Sequence, residues 1–299
     1  MLNYLRSKIF PQPTEVLARP GTSSGSLQTH RPEFLWKPTR DELVTTKFMR
    51  NRIAFMTLVN DLLPEIREAK GGPLKMLFWA CSLGCEPYTI KFLLGPDSVD
   101  EIIGIDRDAN AIQHARAGVY KSDTWEMFFE EKKSLLTPDE LNSYFEPIPG
   151  ITGSLRIAEP YRKNISFMTG DLFSATPCVA EREFDLVVCN NLLLHLKPDS
   201  ANRAWDFLHR YLSDKGLLLV SGCNPQVRFE SAKRLSLHPR LEKLSEIANG
   251  WSGVSGAWNF KKRPAWAYPE PDNNDPRYPF LAGEIFQKRE PKKVAQNQV

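Results

Sequence analysis

Two carboxylates, Glu86 and Asp106, stand about twenty positions apart, each close to the predicted end of a buried strand. The apolar run Leu74–Ala80 suits a strand buried on both faces, and the run Ile102–Ile105 leads directly into Asp106. A carboxylate at the tip of a second strand accepts hydrogen bonds from ribose hydroxyls, and an acid beside the first turn suits a cationic group. Together they indicate an adenosyl ligand that carries an ammonium group, which describes S-adenosylmethionine.

A strand, a tight turn and a helix are predicted to follow one another between residues 74 and 94. Apolar residues recur at helical spacing after Gly84, and Pro87 suits a first helical turn. This geometry brings a helix N-terminus to the carboxyl end of a strand, where open α/β sheets bind nucleotide-like ligands. A single glycine is not the G-x-G-x-x-G fingerprint. The alternative therefore stays open that Glu86 caps a helix and Asp106 ends a strand of a flavodoxin-like domain.

Polar residues follow other apolar segments as well. The run Phe184–Cys189 ends in Asn190 and Asn191, and the run Ile165–Met168 is soon followed by Asp171. The carboxyl ends of parallel strands meet at one edge of a sheet, so we expect these polar residues to lie along the same edge.

An amphipathic helix is predicted before Pro64, because apolar residues recur there on one face. Those residues are Phe48, Ile53, Phe55, Leu58, Val59 and Leu62. Thr46 and Arg50 lie on its leading turn, where a solvated helix start is the common alternative to a binding role.

Composition sets further limits on the function. The 299 residues are 41% hydrophobic with a net charge of +3, which describes a folded chain without the concentrated basic stripe of a nucleic-acid binder. The five cysteines lack paired close spacing, so we expect neither a disulfide framework nor a metal site. No stretch reaches the ~20 apolar residues of a membrane span, and the N-terminus lacks the apolar core of a signal peptide. We therefore expect a cytoplasmic protein with no nucleic-acid partner.

The chain is predicted to divide into three regions. Residues 1–38 are rich in Pro, Ser, Thr and Gly, which predicts a disordered tail or linker. Residues 39–225 carry the α/β alternation, and a charged, aromatic and then Gly/Pro-rich segment at about 121–166 predicts an inserted subdomain. Residues 226–299 form a C-terminal extension, with Arg228–Ile247 as one basic helical segment and a disordered end. The aromatic residues of this extension suit either a binding surface or, as we favour, a terminus packed on the domain.

The ten residues from Ala80 to Thr89 follow the pattern A-C-S-x-G-E-E-P-Y-S. Four more motifs occur in order: T-x-F-F-R at Thr46–Arg50, D-I-D with L-x-x-A-R-x-G-x-Y at Asp106–Tyr120, F-D-x-I-F-C-R-N-V at Phe184–Leu192, and L-x-P-G-G-x-L-x-x-G at Leu212–Gly222. With these motifs the sequence resembles, over about residues 44–222, the CheR-type chemotaxis protein-glutamate O-methyltransferases, whose hallmark is the first pattern.

The resemblance implies a class I (Rossmann-like) S-adenosylmethionine-dependent methyltransferase with a small inserted subdomain. It implies methylation of a protein carboxylate, on a chemoreceptor or another signalling protein. In some family members the subdomain docks a tethered receptor peptide. The cofactor contacts would fall on Thr46, Arg50, Glu86, Asp106, Asp171, Leu172, Asn191 and Leu192, with Asn191 also at the methyl-transfer centre.

Departures from the family pattern keep other functions open. The first Glu of the E-E pair is Cys85, the family's Arg is Asn190, and its aromatic residue is His195. The G-H-S-E ending is replaced by Gly222-Cys223-Asn224-Pro225, and a Pro/Ser-rich segment stands in place of the receptor-binding helical domain. The alternatives are a non-catalytic signalling scaffold and a methyltransferase of a small molecule. For an amine or hydroxyl acceptor His195 is the natural catalytic base; otherwise it is a packed or capping residue.

Overall fold

The computed structural model describes residues 46–121, 129–130, 133–134, 136–174, 178–179, 183–253 and 274–288. The predicted tail at 1–38 and most of the aromatic stretch before residue 274 lie outside this range. No helix within it is long and apolar enough to cross a membrane.

Strands form a central sheet and a small second sheet. They are β1 Leu74–Trp79, β2 Val99–Asp106, β3 Val119–Lys121, β4 Phe129–Glu130, β5 Lys133–Ser134, β6 Phe145–Ile148, β7 Ile151–Ile157, β8 Ile165–Thr169, β9 Phe184–Val188, β10 Leu212–Leu219, β11 Leu237–Pro239 and β12 Ile285–Lys288. The central sheet has the order β11-β12-β10-β9-β1-β2-β8. Its strands β8, β2, β1, β9 and β10 are parallel, and β12 runs antiparallel to both β10 and β11. The predicted α/β class is confirmed, with a mixed rather than wholly parallel sheet.

Helices cover both faces of this sheet. They are α1 Arg52–Thr57, α2 Leu63–Lys70, α3 Cys85–Leu94, α4 Ala109–Ala117, α5 Pro138–Tyr144, α6 Glu159–Arg162, α7 Pro198–Arg210, α8 Pro225–Arg234, α9 Leu244–Gly253 and α10 Tyr278–Ala282. Alternate residues of the buried strands point to opposite faces, so the sheet separates two apolar cores. One core joins α1 to α4 to the sheet, and the other joins α7 and α8 to it.

The segment before β1 differs from its prediction in several ways. Helix α1 begins at Arg52, so Thr46 and Arg50 precede it and do not lie on its leading turn. Pro64 does not end the helix, because it occupies the first turn of α2, where its missing N–H costs no hydrogen bond. A π-helical stretch, Leu58–Leu62, joins α1 to α2. Phe48 and Phe55 are buried as predicted, whereas Ile53 is 37% exposed.

The insertion is held firmly against the main domain. Strands β3, β7 and β6 form an antiparallel sheet, and α5 begins with a capping box between Thr137 and Glu140. The rings of Phe92 in α3 and Tyr144 in α5 stack with centroids 4.2 Å apart. Arg52 in α1 also donates to Glu140 at 2.8 Å. The insertion therefore joins the core that carries α1 and α3.

Residues beyond 225 supply two strands of the central sheet. The single helix predicted over Arg228–Ile247 is wrong, because α8 ends at Arg234 and Ser236 adopts a positive φ of 55°. Strand β11 then pairs with β12, which lies between β11 and β10. The chain after residue 225 therefore extends the sheet that carries the predicted site.

Candidate functional site

The turn between β1 and α3 meets the ends of three neighbouring strands at the carboxyl edge of the sheet. Ala80 and Ser82 in this turn have positive φ values of 57° and 50°, and Gly84 follows with 82°. Positive φ is costly for residues that carry a Cβ, and such backbone strain is concentrated at functional sites. The strained turn at this edge is therefore a marker of the site.

Asp106 holds this turn in place. One carboxylate oxygen, Oδ2, accepts from the Ser82 backbone N–H at 2.8 Å, and Oδ1 accepts from the Asp108 N–H at 3.0 Å. An ionised carboxylate offers about four lone-pair sites, so Asp106 keeps the capacity to accept from ribose hydroxyls. Its position at the end of β2 matches the place predicted from the sequence.

Asp171 and Leu172 follow the neighbouring strand β8. The Gly170 N–H donates to the Asp106 carbonyl at 2.9 Å, which brings this loop beside the end of β2. The exposed Asp171 carboxylate accepts from the Phe173 N–H at 2.9 Å, and Leu172 is buried. These two predicted residues therefore lie on the β2 side of the edge.

Glu86 lies buried in the first turn of α3 and belongs to a chain of hydrogen bonds. The Asn190 side-chain amide donates to Glu86 Oε2 at 3.3 Å, and the Ser221 backbone N–H donates to Asn190 Oδ1 at 3.0 Å. This series of hydrogen bonds extends to the segment before α1, because Asn51 Nδ2 donates to Ser221 Oγ at 3.0 Å. Asn190, which departs from the family pattern, thus links the ends of β9 and β10 to Glu86.

Burial raises the pKa of Glu86, while the nearby Arg50 guanidinium and the hydrogen bond from Asn190 act in the opposite direction. A buried carboxylate is stable only with compensating charge or hydrogen bonds. The position therefore favours a cationic ligand group, as the sequence predicted for the ammonium of S-adenosylmethionine.

Thr46 and Arg50 approach Cys85 and Glu86 from the segment that precedes α1. Thr46 is buried, and its hydroxyl forms a hydrogen bond with the Cys85 thiol, whose pKa is raised by burial. The Met49 backbone N–H donates to Thr89 Oγ1 at 3.0 Å and fixes this segment on α3. Arg50 lies close enough to Glu86 to influence its pKa. The segment from 46 to 51 therefore brings a cation to the buried Glu86.

His195 ends the 3-10 turn Leu193–His195 that follows β9. Burial and the nearby Arg50 both lower the pKa of its imidazole. Near pH 7 His195 is therefore mostly neutral, so it does not compete with Arg50 as the cation of the site.

Asn191 carries a buried side-chain amide in the loop after β9. Both side-chain atoms, Nδ2 and Oδ1, are buried and have no hydrogen-bond partner among the described residues. The loop packs so closely that a Cβ on Gly222 would lie 3.1 Å from Asn191 Nδ2. Buried polar groups are nearly always paired, so this amide fits a polar group of a bound ligand. Leu192 follows it in the same loop and is partly buried.

Glu284 is a candidate site residue that the sequence did not indicate. It directly precedes β12, is 5% exposed, and its carbonyl accepts from the Val220 N–H at 2.9 Å. Its Oε2 is buried and has no hydrogen-bond partner in the described part of the chain. Burial raises its pKa to about 7, opposed by Arg228 and Arg50. The signal in the sequence is an acidic residue directly before a short strand. Because this strand is antiparallel to β10, its beginning lies at the carboxyl edge of the parallel strands.

The sequence profile of the CheR methyltransferase SAM binding domain matches residues 44–238. The chain belongs to the CheR methyltransferase family. The matched region contains Asp106 at the end of β2, Glu86 in the first turn of α3 and Asn191 in the loop after β9, and S-adenosylmethionine is the cofactor of the CheR family. The predicted fold is confirmed as the class I methyltransferase fold. The individual cofactor contacts stay a prediction.

Relatives of this CheR-family chain include two named methyltransferases. It is 27% identical over 181 residues to a chemotaxis protein methyltransferase of Listeria monocytogenes, covering 59% of this chain and 63% of that protein. It is 26% identical to the "Probable biofilm formation methyltransferase WspC" of Pseudomonas aeruginosa, covering 58% of this chain and 40% of that protein. The chain thus spans less than two thirds of either relative.

Among solved structures, the CheR-family chain is similar to magnesium protoporphyrin IX methyltransferase from Synechocystis PCC 6803 with bound S-adenosylmethionine. The TM-score is 0.35 at 12% identity, covering 62% of this chain and 70% of that one.

Proposed function

We propose that this protein transfers the methyl group of S-adenosylmethionine to a protein carboxylate, the side chain of a glutamate on a signalling protein. Membership of the CheR family supports the cofactor and the type of reaction. The names of the relatives, in chemotaxis and biofilm formation, support a signalling protein, such as a chemoreceptor, as the partner.

The observation that carries the proposal is the placement of Arg50 beside the buried Glu86. Glu86 suits the positive end of the cofactor, and Arg50 gives the centre a cation that attracts anions. A guanidinium binds a carboxylate through two parallel hydrogen bonds, which orients the carboxylate as well as attracting it. The centre therefore suits an acceptor that arrives with a negative charge.

A carboxylate acceptor needs alignment more than it needs proton transfer. When bound, S-adenosylmethionine supplies a methyl group on a positively charged sulfur. A glutamate side chain is already ionised at pH 7, so the protein has no proton to remove. The buried walls of the site, with Asn191 and Leu192 in the loop after β9, then serve to hold the reactants at near-attack distance and to exclude water.

One observation favours a second candidate, transfer to an amine or hydroxyl. Glu284 has a pKa of about 7 and a buried Oε2 without a hydrogen-bond partner in the described part of the chain, as a general base would. Such a base would accept the proton that an N–H or O–H acceptor loses. The methylated product distinguishes the two candidates, because a carboxylate acceptor gives a methyl ester whereas an amine or hydroxyl acceptor gives a methylated amine or an ether.

The test is to incubate the protein with methyl-labelled S-adenosylmethionine and proteins of a cell lysate, then treat the labelled proteins with alkali. Carboxyl methyl esters release labelled methanol in alkali, whereas methylated amines and ethers keep the label. We expect alkali-labile label on glutamate residues, located by mass spectrometry.

The control is the Glu86→Gln variant, which loses the proposed partner of the cofactor ammonium and should not label protein. Alkali-stable label would replace the proposal by the second candidate. Cofactor binding without any labelled protein would favour the non-catalytic scaffold.

A further inference from the structure

Glu284 lies at the carboxyl edge of the sheet, and the order of the strands relates it to the residues that suit the cofactor. Asp106 at the end of β2 suits the ribose, and Glu86 with Asn190 at the ends of β1 and β9 suits the ammonium end. Continuing in the same direction across the sheet, the next strands are β10 and β12. The beginning of β12, where Glu284 stands, is therefore separated from Asp106 by Glu86 and Asn190, as a residue facing the acceptor would be.

The backbone fixes Glu284 at this edge. Its carbonyl accepts from the Val220 N–H at 2.9 Å, and the adjacent Ser221 belongs to the hydrogen-bond chain that reaches Glu86. The side chain is 5% exposed and Oε2 lacks a hydrogen-bond partner among the described residues. A buried carboxyl group without a partner is costly, so this atom points to a group that a ligand supplies.

We propose that Glu284 is a specificity-determining residue that, in its protonated form, donates a hydrogen bond to the unreactive oxygen of the acceptor carboxylate. This rests on the proposed function, since it requires a carboxylate acceptor. The acceptor keeps its other oxygen for attack on the methyl group. A carboxylic acid kept neutral by its surroundings is a known donor toward developing or fixed negative charge.

The charged groups around Glu284 determine when it carries its proton. Arg228 of α8 and Arg50 both lower its pKa, but burial outweighs them and leaves it at about 7. Burial raises the pKa of the neighbouring Cys223 thiol, and that of His195 is lowered, so both are mainly neutral at this pH. An anionic acceptor favours the protonated form further, so its binding should take up a proton and weaken as the pH rises.

The test measures how tightly N-acetylglutamate α-amide, a probe for a glutamate side chain, binds to the full chain saturated with S-adenosylhomocysteine. With a pKa of about 7, the protonated fraction of Glu284 falls about tenfold between pH 6 and pH 8. We expect the probe to bind the parent protein about tenfold more weakly at pH 8 than at pH 6.

The Glu284→Gln variant keeps a neutral donor and should bind the probe equally well at both pH values, with the affinity of the parent at pH 6. Glu284→Leu should bind weakly at both. The matched control is Glu230→Gln, because Glu230 is exposed on α8 and the parent's pH dependence should be retained.

Probe binding that is independent of pH, or tighter at pH 8, would overturn the role of Glu284. Absence of probe binding would overturn it as well. Failure of the proposed function is recognised separately, by alkali-stable label in the lysate experiment with the parent protein.

Discussion

The two edges of the central sheet differ in whether their buried polar groups have hydrogen-bond partners. At the amino edge Asp185 accepts from the Lys70 ammonium at 2.6 Å and from the Lys75 backbone N–H at 2.7 Å. At the carboxyl edge the Asn191 amide and Glu284 Oε2 have no hydrogen-bond partner among the described residues. Since unpaired buried polar groups cost stability, an edge that keeps them is adapted to a ligand. In the same sheet, the polar groups of the amino edge thus stabilise the fold, whereas those of the carboxyl edge suit a ligand.

Open space also lies at the amino edge, away from the candidate site. Two open depressions, of about 380 and 550 Å³, lie at the amino edge, and Lys75 lines both. The larger of the two is lined by Lys70 and Asp185, whose charges are already matched in an ion pair. Partnering of polar atoms therefore identifies the functional edge better than empty space does.

The largest expected effect concerns the stability cost of Glu284 at the carboxyl edge. Its folded-state pKa is raised from 4.5 to about 7, so its stabilising contribution is present below pH 4.5 and lost as the pH rises through 7. Between pH 4.5 and 7.5 the free energy of unfolding should fall by about 3 kcal/mol more in the parent than in Glu284→Gln. Urea unfolding at a series of pH values measures this difference. Parallel curves for the two proteins would show that burial does not penalise this carboxylate.

At the amino edge, Asp185→Ala should lower the free energy of unfolding by about 2 to 3 kcal/mol, because Lys70 and a backbone N–H lose their partner. Affinity for S-adenosylhomocysteine should stay unchanged in the folded variant, as calorimetry would show. Asp214→Ala is the control, since that side chain is 89% exposed and should be nearly neutral. A weaker cofactor affinity in folded Asp185→Ala would contradict the prediction that the amino edge has no role in cofactor binding.

A single strand, β2, allows both edges to be compared directly. Asp106→Ala at its carboxyl end should weaken S-adenosylhomocysteine binding by about 2 kcal/mol, because hydrogen bonds to a charged acceptor are lost. Asp100→Ala, at the exposed amino end of the same strand, should leave the affinity unchanged. Calorimetry on both variants decides this. Equal affinities would remove Asp106 from the cofactor site.

The smallest effect is expected for a substitution of His195, which lies on the carboxyl edge. A carboxylate acceptor has no proton for this residue to remove. His195→Gln should change the rate of methyl transfer by less than about tenfold and leave its pH profile in place. Initial rates between pH 6 and pH 8 test this. A loss of about 10²-fold or more, in a variant that still binds cofactor, would mean base-assisted transfer to an amine or hydroxyl.

The sequence predicted the parts of this edge that follow from local patterns. Glu86 and Asp106 were identifiable because each lies next to an apolar strand within one strand-turn-helix-strand segment. Asn51 and Ser221 were not, because the hydrogen bond between them joins residues 170 positions apart. Only the folded sheet brings such residues together.

Glu284 was missed for a related reason. Strand β12 has only four residues and runs antiparallel to β10, so its site end is its beginning. It follows a Trp-, Tyr- and Pro-rich stretch whose composition indicated a terminal extension. Pairing between distant strands, rather than composition, decides that this short segment belongs to the sheet.

The position of β12 also determines when the central sheet can be completed during synthesis of the chain. Every other strand of the central sheet precedes β12 in the chain, yet β12 inserts between β10 and β11. A nascent chain that ends at residue 253 therefore contains Glu86, Asp106 and Asn191, whereas β10 lacks its neighbour β12. Unpaired strand edges promote association between chains, so such an intermediate needs shielding until β12 is synthesised. A premature stop codon after residue 253 would accordingly yield an aggregation-prone product that lacks Glu284.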